Sequence, residues 1–187
     1  MKRGDQPVAA LLSPTYGEQW SPSHPTSARK GDVVLLLSPN SIFFPIVCLS
    51  VMSLGAIIAT TNPLNTNREI NKQIADSKPI ILFTTTDLVP KLADSNLSIV
   101  QIGSGAGNRR IVNTLEQMMT AEPNRNRIKE RVTQDDTTTL LYSSGTTGAS
   151  KGVICSHRNL IPWTVERNEI NPIVADSNFV FGIEIIK

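Results

Sequence analysis

The chain has 187 residues, 40% of them apolar, with a formal net charge of +2 and two cysteines. That length suits one domain or one and a half, and the apolar share is enough for a packed core. A net charge this small argues neither for nor against an anionic partner, but it lacks the strong, clustered basic footprint of a nucleic-acid protein. Cys48 and Cys155 form no CxxC pair, so two reduced, buried thiols are expected rather than a disulfide or a metal site.

Residues 1–30 carry Pro7, Pro14, Pro22 and Pro25 with little periodicity and read as an irregular lead-in. The apolar run Val8 to Leu12 is too short for a signal peptide. "GDVVLLL" (31–37) reads as a buried strand, a short apolar run with turn residues on both sides. Asn40 or Ser41 offers a side-chain oxygen to the free N–H groups of a helix predicted from Ile42 to Leu54. Pro45 falls in its first turn, where proline is tolerated. Gly55 is the expected stop, because glycine alone takes the left-handed conformation at little cost. "AIIAT" (56–60) follows as a second strand, which completes a βαβ unit and implies a parallel pair.

The same residues raise the question of a membrane, because no charge occurs from Val33 to Asn67. A span over 42–59 is opposed by Pro45, Gly55, Ser50, Ser53 and the break "SPNS" (38–41), so strand–helix–strand is the reading.

Thr66-Asn67-Arg68-Glu69 has capping-box spacing and opens a helix to about Ser77, with Ile70 and Ile74 on one face. "PIILFTT" (79–85) is a strand, Asp87 to Ala93 a short helix and "LSIVQI" (97–102) a strand. "RIVNTLEQMMTAE" (110–122) reads as an amphipathic helix. In Glu122 to Asp136, four basic residues are offset by four acidic ones. A solvated linker or surface helix is the default there, and an RNA or DNA site the alternative. "TTLLYS" (138–143) and "GVICS" (152–156) are strands, and Ser156 can cap a helix starting at His157. Alternation over about 160 residues makes an α/β domain with a largely parallel sheet.

Two glycine-rich stretches invite a chemical reading. In "GSGAGN" (103–108) the third glycine falls one position early for a dinucleotide fingerprint, so a surface loop is expected. "YSSGTTGASKGV" (142–153) is not a Walker loop either, because only two residues, not four, lie between Gly145 and Gly148, and Gly152 follows Lys151. Its physics is nevertheless that of phosphate binding. Glycines let backbone N–H groups converge on an anion. Ser143, Ser144, Thr146 and Thr147 add rotatable O–H donors. Lys151 adds one mobile positive charge. A Ser/Thr/Gly hairpin turn is the plain reading of the composition alone. His24 and His157 are the only histidines, with no carboxylate constellation for a metal and no Ser-His-Asp motif for a hydrolase.

The full run Leu140, Ser143, Ser144, Gly145, Thr146, Thr147, Gly148, Ser150, Lys151 resembles the signature of the adenylate-forming superfamily of acyl-CoA and aryl-CoA synthetases. "KGDVVLLLSPNS", "VMSLGAIIATTNPLNT", "EINKQIADSKP" and "SHRNLI" look like plant 4-coumarate–CoA ligase-like enzymes, most like those associated with peroxisomes. The likeness covers about residues 29–161. It implies an incomplete N-terminal domain over 31–161 and a divergent tail over 162–187. It also implies ATP-dependent carboxylate–CoA ligation through an acyl-adenylate. Ser143, Ser144, Gly145, Thr146, Thr147, Gly148 and Lys151 would hold ATP phosphates.

ATP, Mg2+ and CoA are the implied cofactor and co-substrates, and a small carboxylic acid the implied substrate. No nucleic acid and no membrane span are implied. The resemblance places the protein inside the cell, cytoplasmic or peroxisomal, although Ile185-Ile186-Lys187 is not a peroxisomal address. The family's Pro-x-Phe-His, aromatic-Gly-x-Thr-Glu and Thr-Gly-Asp segments do not occur, nor does its catalytic-lysine domain. A truncated fragment without ligase turnover is therefore expected, with no catalytic residue within this chain. The alternative is a non-catalytic nucleotide-binding or regulatory module that pairs with a full-length ligase.

Overall fold

In the computed structural model, residues 28–103, 111–120, 131–143 and 151–160 are described, together with the two short strands 179–180 and 183–184. β1 (Val33–Leu37) is the hub. It pairs in parallel with β2 (Ile57–Thr61) on one side and β3 (Ile81–Thr85) on the other. β4 (Ser98–Ile102) and β5 (Ile111–Thr114) extend the sheet beyond β3, both in parallel. β6 (Thr137–Ser143) joins β2 in parallel, and β7 (Lys151–Ser156) closes that side as an antiparallel edge. The order is β5-β4-β3-β1-β2-β6-β7. β8 (Phe179–Val180) and β9 (Ile183–Glu184) form a separate antiparallel pair.

The apolar run in β1 is explained by burial on both faces. Val34 and Leu36 look into one core, with α1 (Phe43–Ser53) and α3 (Leu115–Thr120). Leu35 and Leu37 look into the other, with α2 (Asn67–Ser77) and the 3-10 helix Thr86–Leu92. Strand side chains alternate between faces, so a strand covered on both sides must be apolar at every position. The structure is α/β with a largely parallel sheet.

Residues 42–59 divide as the sequence suggests, into α1, a turn at Gly55 and β2. Gly55 has φ +71, and its N–H donates to the Met52 carbonyl at 3.0 Å. In α1 the Ser50 and Ser53 hydroxyls donate to backbone carbonyls of their own helix, which satisfies them without solvent. At the other end, the Ser41 hydroxyl accepts from Phe43 N–H at 3.3 Å. Among the described residues no helix is long and apolar enough to cross a membrane.

The Thr66 box forms as expected. Glu69 N–H donates to Thr66 Oγ1 at 3.3 Å, and Glu69 Oε2 accepts from Thr66 N–H at 2.7 Å. The helix ends on Lys78 in the left-handed region.

One element differs from expectation. Residues 110–122 are not one helix, because Ile111–Thr114 is β5 and only Leu115–Thr120 is helical. The β-branched pair Ile111-Val112 suits a strand, and β4 presents a free edge to receive it. Thr114 then starts the helix: its hydroxyl accepts Gln117 N–H at 3.2 Å while Gln117 Oε1 accepts Thr114 N–H at 3.1 Å. Thr114-x-x-Gln117 is itself capping-box spacing and is the signal that marks this boundary.

The acidic end of the charged stretch is used for fastening. Asp136 forms an ion pair with Lys30 at 2.8 Å and accepts Thr133 N–H at 2.6 Å. Asp135 takes a two-point contact from Arg158, at 2.7 and 3.1 Å. Residues 104–110 and 121–130, which include most of the "GSGAGN" loop and five charged residues of that stretch, lie outside the described residues.

Candidate phosphate-binding hairpin

The candidate site is built on β6 and β7. β6 is anchored through Ile58↔Thr139 and Ala59↔Leu140 against β2, with Thr138 and Thr139 fully buried. Its parallel alignment puts Ser143 at the same end of the sheet as the loops that leave β1, β2 and β3. In open α/β sheets that end is where ligands bind.

β7 runs back from Lys151, and the register pairs Ser143 with Lys151 and Tyr142 with Gly152. The two ends of the hydroxyl–glycine motif are therefore cross-strand neighbours. Lys151 is exposed. Ser144, Gly145, Thr146, Thr147 and Gly148 belong to the seven-residue connection 144–150, which lies outside the described residues. The plain reading, a hairpin, is thus correct for the two strands. The connection is longer than the two to five residues common in hairpin loops.

Two packing details surround the root. Gly152 sits against β6, where an added Cβ would meet Leu140 Cδ1 at 3.3 Å and Tyr142 Cε1 at 3.7 Å. The Tyr142 hydroxyl donates to the Gln73 carbonyl in α2 at 3.2 Å. No sequence pattern points to this contact, which joins positions 69 residues apart. Burial pushes the Tyr142 hydroxyl's pKa up, partly opposed by Ser77 and reinforced by Asp76, so it remains a donor at neutral pH.

His157 starts a helical turn at 157–160, as expected. Its N–H donates to the Asp136 carbonyl at 3.2 Å, and burial lowers its imidazole pKa against the pull of Asp136. At Ser156, the expected cap, it is the Asn159 side chain that reaches back to the end of the strand. The Ser156 hydroxyl and N–H both donate to Asn159 Oδ1, at 2.8 and 2.9 Å. Cys48 is buried and free, its thiol pushed up to about 12 by burial, and Cys155 on β7 is free and half-buried. Among the described residues no group of three or more His, Cys, Asp or Glu could hold a metal ion.

The profile of the AMP-binding enzyme family matches residues 26–178. The chain belongs to that family. It is 65% identical over 138 residues to a probable CoA ligase, CCL5, of Humulus lupulus, covering 71% of this chain and 25% of the relative. It is 65% identical over 140 residues to the peroxisomal OPC-8:0-CoA ligase 1 of Arabidopsis thaliana, with the same coverage. It is also 59% identical over 143 residues to the 4-coumarate–CoA ligase-like protein 2 of Arabidopsis thaliana. The chain spans about a quarter of the length of these curated relatives.

Among solved structures, the fold resembles the anthranilate CoA ligase AuaEII in complex with anthranoyl-AMP. That match has a TM-score of 0.63 and 25% identity, over 74% of this chain and 27% of that one. The luciferase-like enzyme of the mealworm Zophobas morio superposes with a TM-score of 0.65 at 24% identity, over 87% of this chain and 36% of that one.

Proposed function

We propose that this chain carries the phosphate-gripping part of an ATP-dependent carboxylate–CoA ligase of the 4-coumarate–CoA ligase-like type. The observation that supports this most is the register Ser143↔Lys151, which sets the motif's cation beside its first hydroxyl residue at the ligand-binding end of a parallel sheet. The CoA ligase relatives, 65% identical over 138 and 140 residues, add the reaction class.

In that reaction a carboxylate oxygen attacks the α-phosphorus of ATP. The bond to the bridging oxygen breaks, pyrophosphate leaves and an acyl-adenylate remains. The CoA thiol then attacks the acyl carbon and AMP departs, so ATP, CoA and a carboxylic acid are the substrates. Ser143, Ser144, Thr146 and Thr147 would donate to the β- and γ-phosphate oxygens. Gly145 and Gly148 would let backbone N–H groups approach, and Lys151 would offset the charge that grows on pyrophosphate as it leaves.

The chain by itself would grip nucleotide without turning over. The segments that the resemblance assigns to ribose, metal and the catalytic lysine do not occur among these 187 residues. The cell interior, cytoplasmic or peroxisomal, is the proposed location, and the peroxisomal relative supports the second of these.

Two measurements test the proposal. ATP binding to the purified chain should weaken about tenfold or more in Lys151→Ala, the scale of a lost hydrogen bond to a charged group. ATP–pyrophosphate exchange with 4-coumarate or medium-chain acids should be absent. Equal ATP affinity in the variant removes the phosphate role, and exchange that depends on Lys151 removes the claim of inactivity.

A second reading, a regulatory module that pairs with a full-length ligase, is favoured by the outer edge. β7 has no partner on its far side among the described residues. Val153 and Ile154 on it are 47% and 68% exposed, and uncovered apolar edges invite pairing. Co-expression with a full-length relative that yields no complex eliminates it.

A further inference from the structure

The phosphate grip as proposed makes no use of the contact between Tyr142 and Gln73. α2 already stands on β2 and its neighbours through Ile70 and Ile74, which pack with Ala59 and Leu140. Gln73 is buried, and its backbone carbonyl receives two hydroxyls: that of Ser77 one turn further on, at 2.6 Å, and that of Tyr142, at 3.2 Å. The tyrosine lies one residue before Ser143, and its ring edge lies over Gly152, one residue after Lys151. Aromatic cover of a cross-strand glycine holds two strands in register where the glycine has no side chain to do so.

One side chain therefore touches both strands at the root of the motif and ties them to a helix rooted in the core. β7 is the sheet's outer strand, paired on one side only among the described residues, so its register with β6 depends on contacts of this kind.

We propose that Tyr142 is a positioning residue. Its hydroxyl, held by the Gln73 carbonyl, fixes the Ser143–Lys151 root against α2, so the lysine is already in place when a polyphosphate arrives. Binding then does not have to order the hairpin ends first, which is the advantage of preorganisation. The contact itself stands without the ATP reading, but its use for polyphosphate rests on that reading.

The test is Tyr142→Phe in the full chain, which removes one oxygen and keeps the ring over Gly152. Amide exchange is followed at Ser143, Lys151 and Gly152 and, as an internal reference, at Leu35 to Leu37. The proposal expects exchange at the root to rise about threefold to tenfold, the scale of one net hydrogen bond, with the reference unchanged. ATP and inorganic tripolyphosphate are titrated into both proteins, and affinity should fall by a similar factor.

Unchanged exchange at the root overturns the proposal. So does an equal rise at Leu35 to Leu37, which would make the bond a general stabiliser. A root that loosens while a measurable ATP affinity stays the same overturns the positioning role. If the parent chain binds neither polyphosphate while the root alone loosens in the variant, the ATP reading fails and the mechanical contact survives. The two failures are therefore distinguishable. Tyr142→Ala should loosen the root further than Tyr142→Phe; if it does not, the ring's cover of Gly152 contributes nothing.

Discussion

Two glycine-to-alanine substitutions should behave in opposite ways, and the structure says by how much. Gly55 closes α1 at φ +71. An added Cβ would lie 3.0 Å from Val132 Cγ2 and 3.1 Å from Lys30 Cγ. A left-handed non-glycine residue costs about 1–2 kcal/mol. Crowding of this kind in a packed site adds about 1–2 kcal/mol, the low end of overpacking costs.

Relief is difficult because both neighbours are held. Lys30 is fixed by its ion pair with Asp136 and by a 3.0 Å bond to the Arg131 carbonyl, and Val132 lies between Arg131 and Thr133 in that same segment. Gly55→Ala should therefore cost about 2–4 kcal/mol, or about 5–15 °C in melting temperature for a chain of this size.

Gly152 has no positive φ, and its nearest neighbour is the tip of Leu140 at 3.3 Å. A small movement of that tip accommodates a methyl group. The loss of unfolded-state freedom gives back about 0.4–1 kcal/mol, so Gly152→Ala should fall within about 1 kcal/mol of the parent. Urea and thermal unfolding followed by circular dichroism would measure both. A neutral Gly55→Ala, or two variants equally unstable, would refute the reasoning from backbone conformation.

Two further outcomes follow from the same geometry. The Glu69 carboxyl sits below its ordinary range because Thr66 donates to it, first through the backbone N–H and then through the hydroxyl. A depressed folded pKa contributes stability that is present above the unfolded value and lost as the pH falls through the folded one. Thr66→Ala should thus lower the melting temperature by about 2–4 °C at pH 7, with the gap narrowing in acid; a gap that widens in acid contradicts the box. Separately, iodoacetamide at pH 8 should label the native chain once, at Cys155, and twice after denaturation. Burial and a pKa of about 12 keep Cys48 protonated, so native labelling of Cys48 at the rate of Cys155 would show that α1 opens readily.

Much of this protein is legible in its amino-acid sequence, and what is legible there is local. Gly55 ends a helix because of its own torsion, Thr66 and Glu69 cap each other across three residues, and Val33–Leu37 announces double-sided burial by having no polar position. The hydroxyl–glycine–lysine motif is also a short-range pattern. Each signal is complete within a few residues, so the chain states it wherever it folds.

What the sequence withholds is long-range. Whether Ile111–Thr114 extends β4 or begins a helix depends on a free sheet edge that only the assembled sheet supplies. That Ser143 and Lys151 face each other follows from a register set by β2, β6 and β7 together. The bond from Tyr142 to Gln73 joins positions 69 residues apart, and nothing near either residue announces it. The ingredients of the proposed phosphate grip are thus written in twelve consecutive residues, but the placement of its two ends is decided by strands and a helix drawn from much of the described chain. Local preferences are fixed by covalent neighbours, whereas register and cross-strand contacts exist only once distant segments are packed.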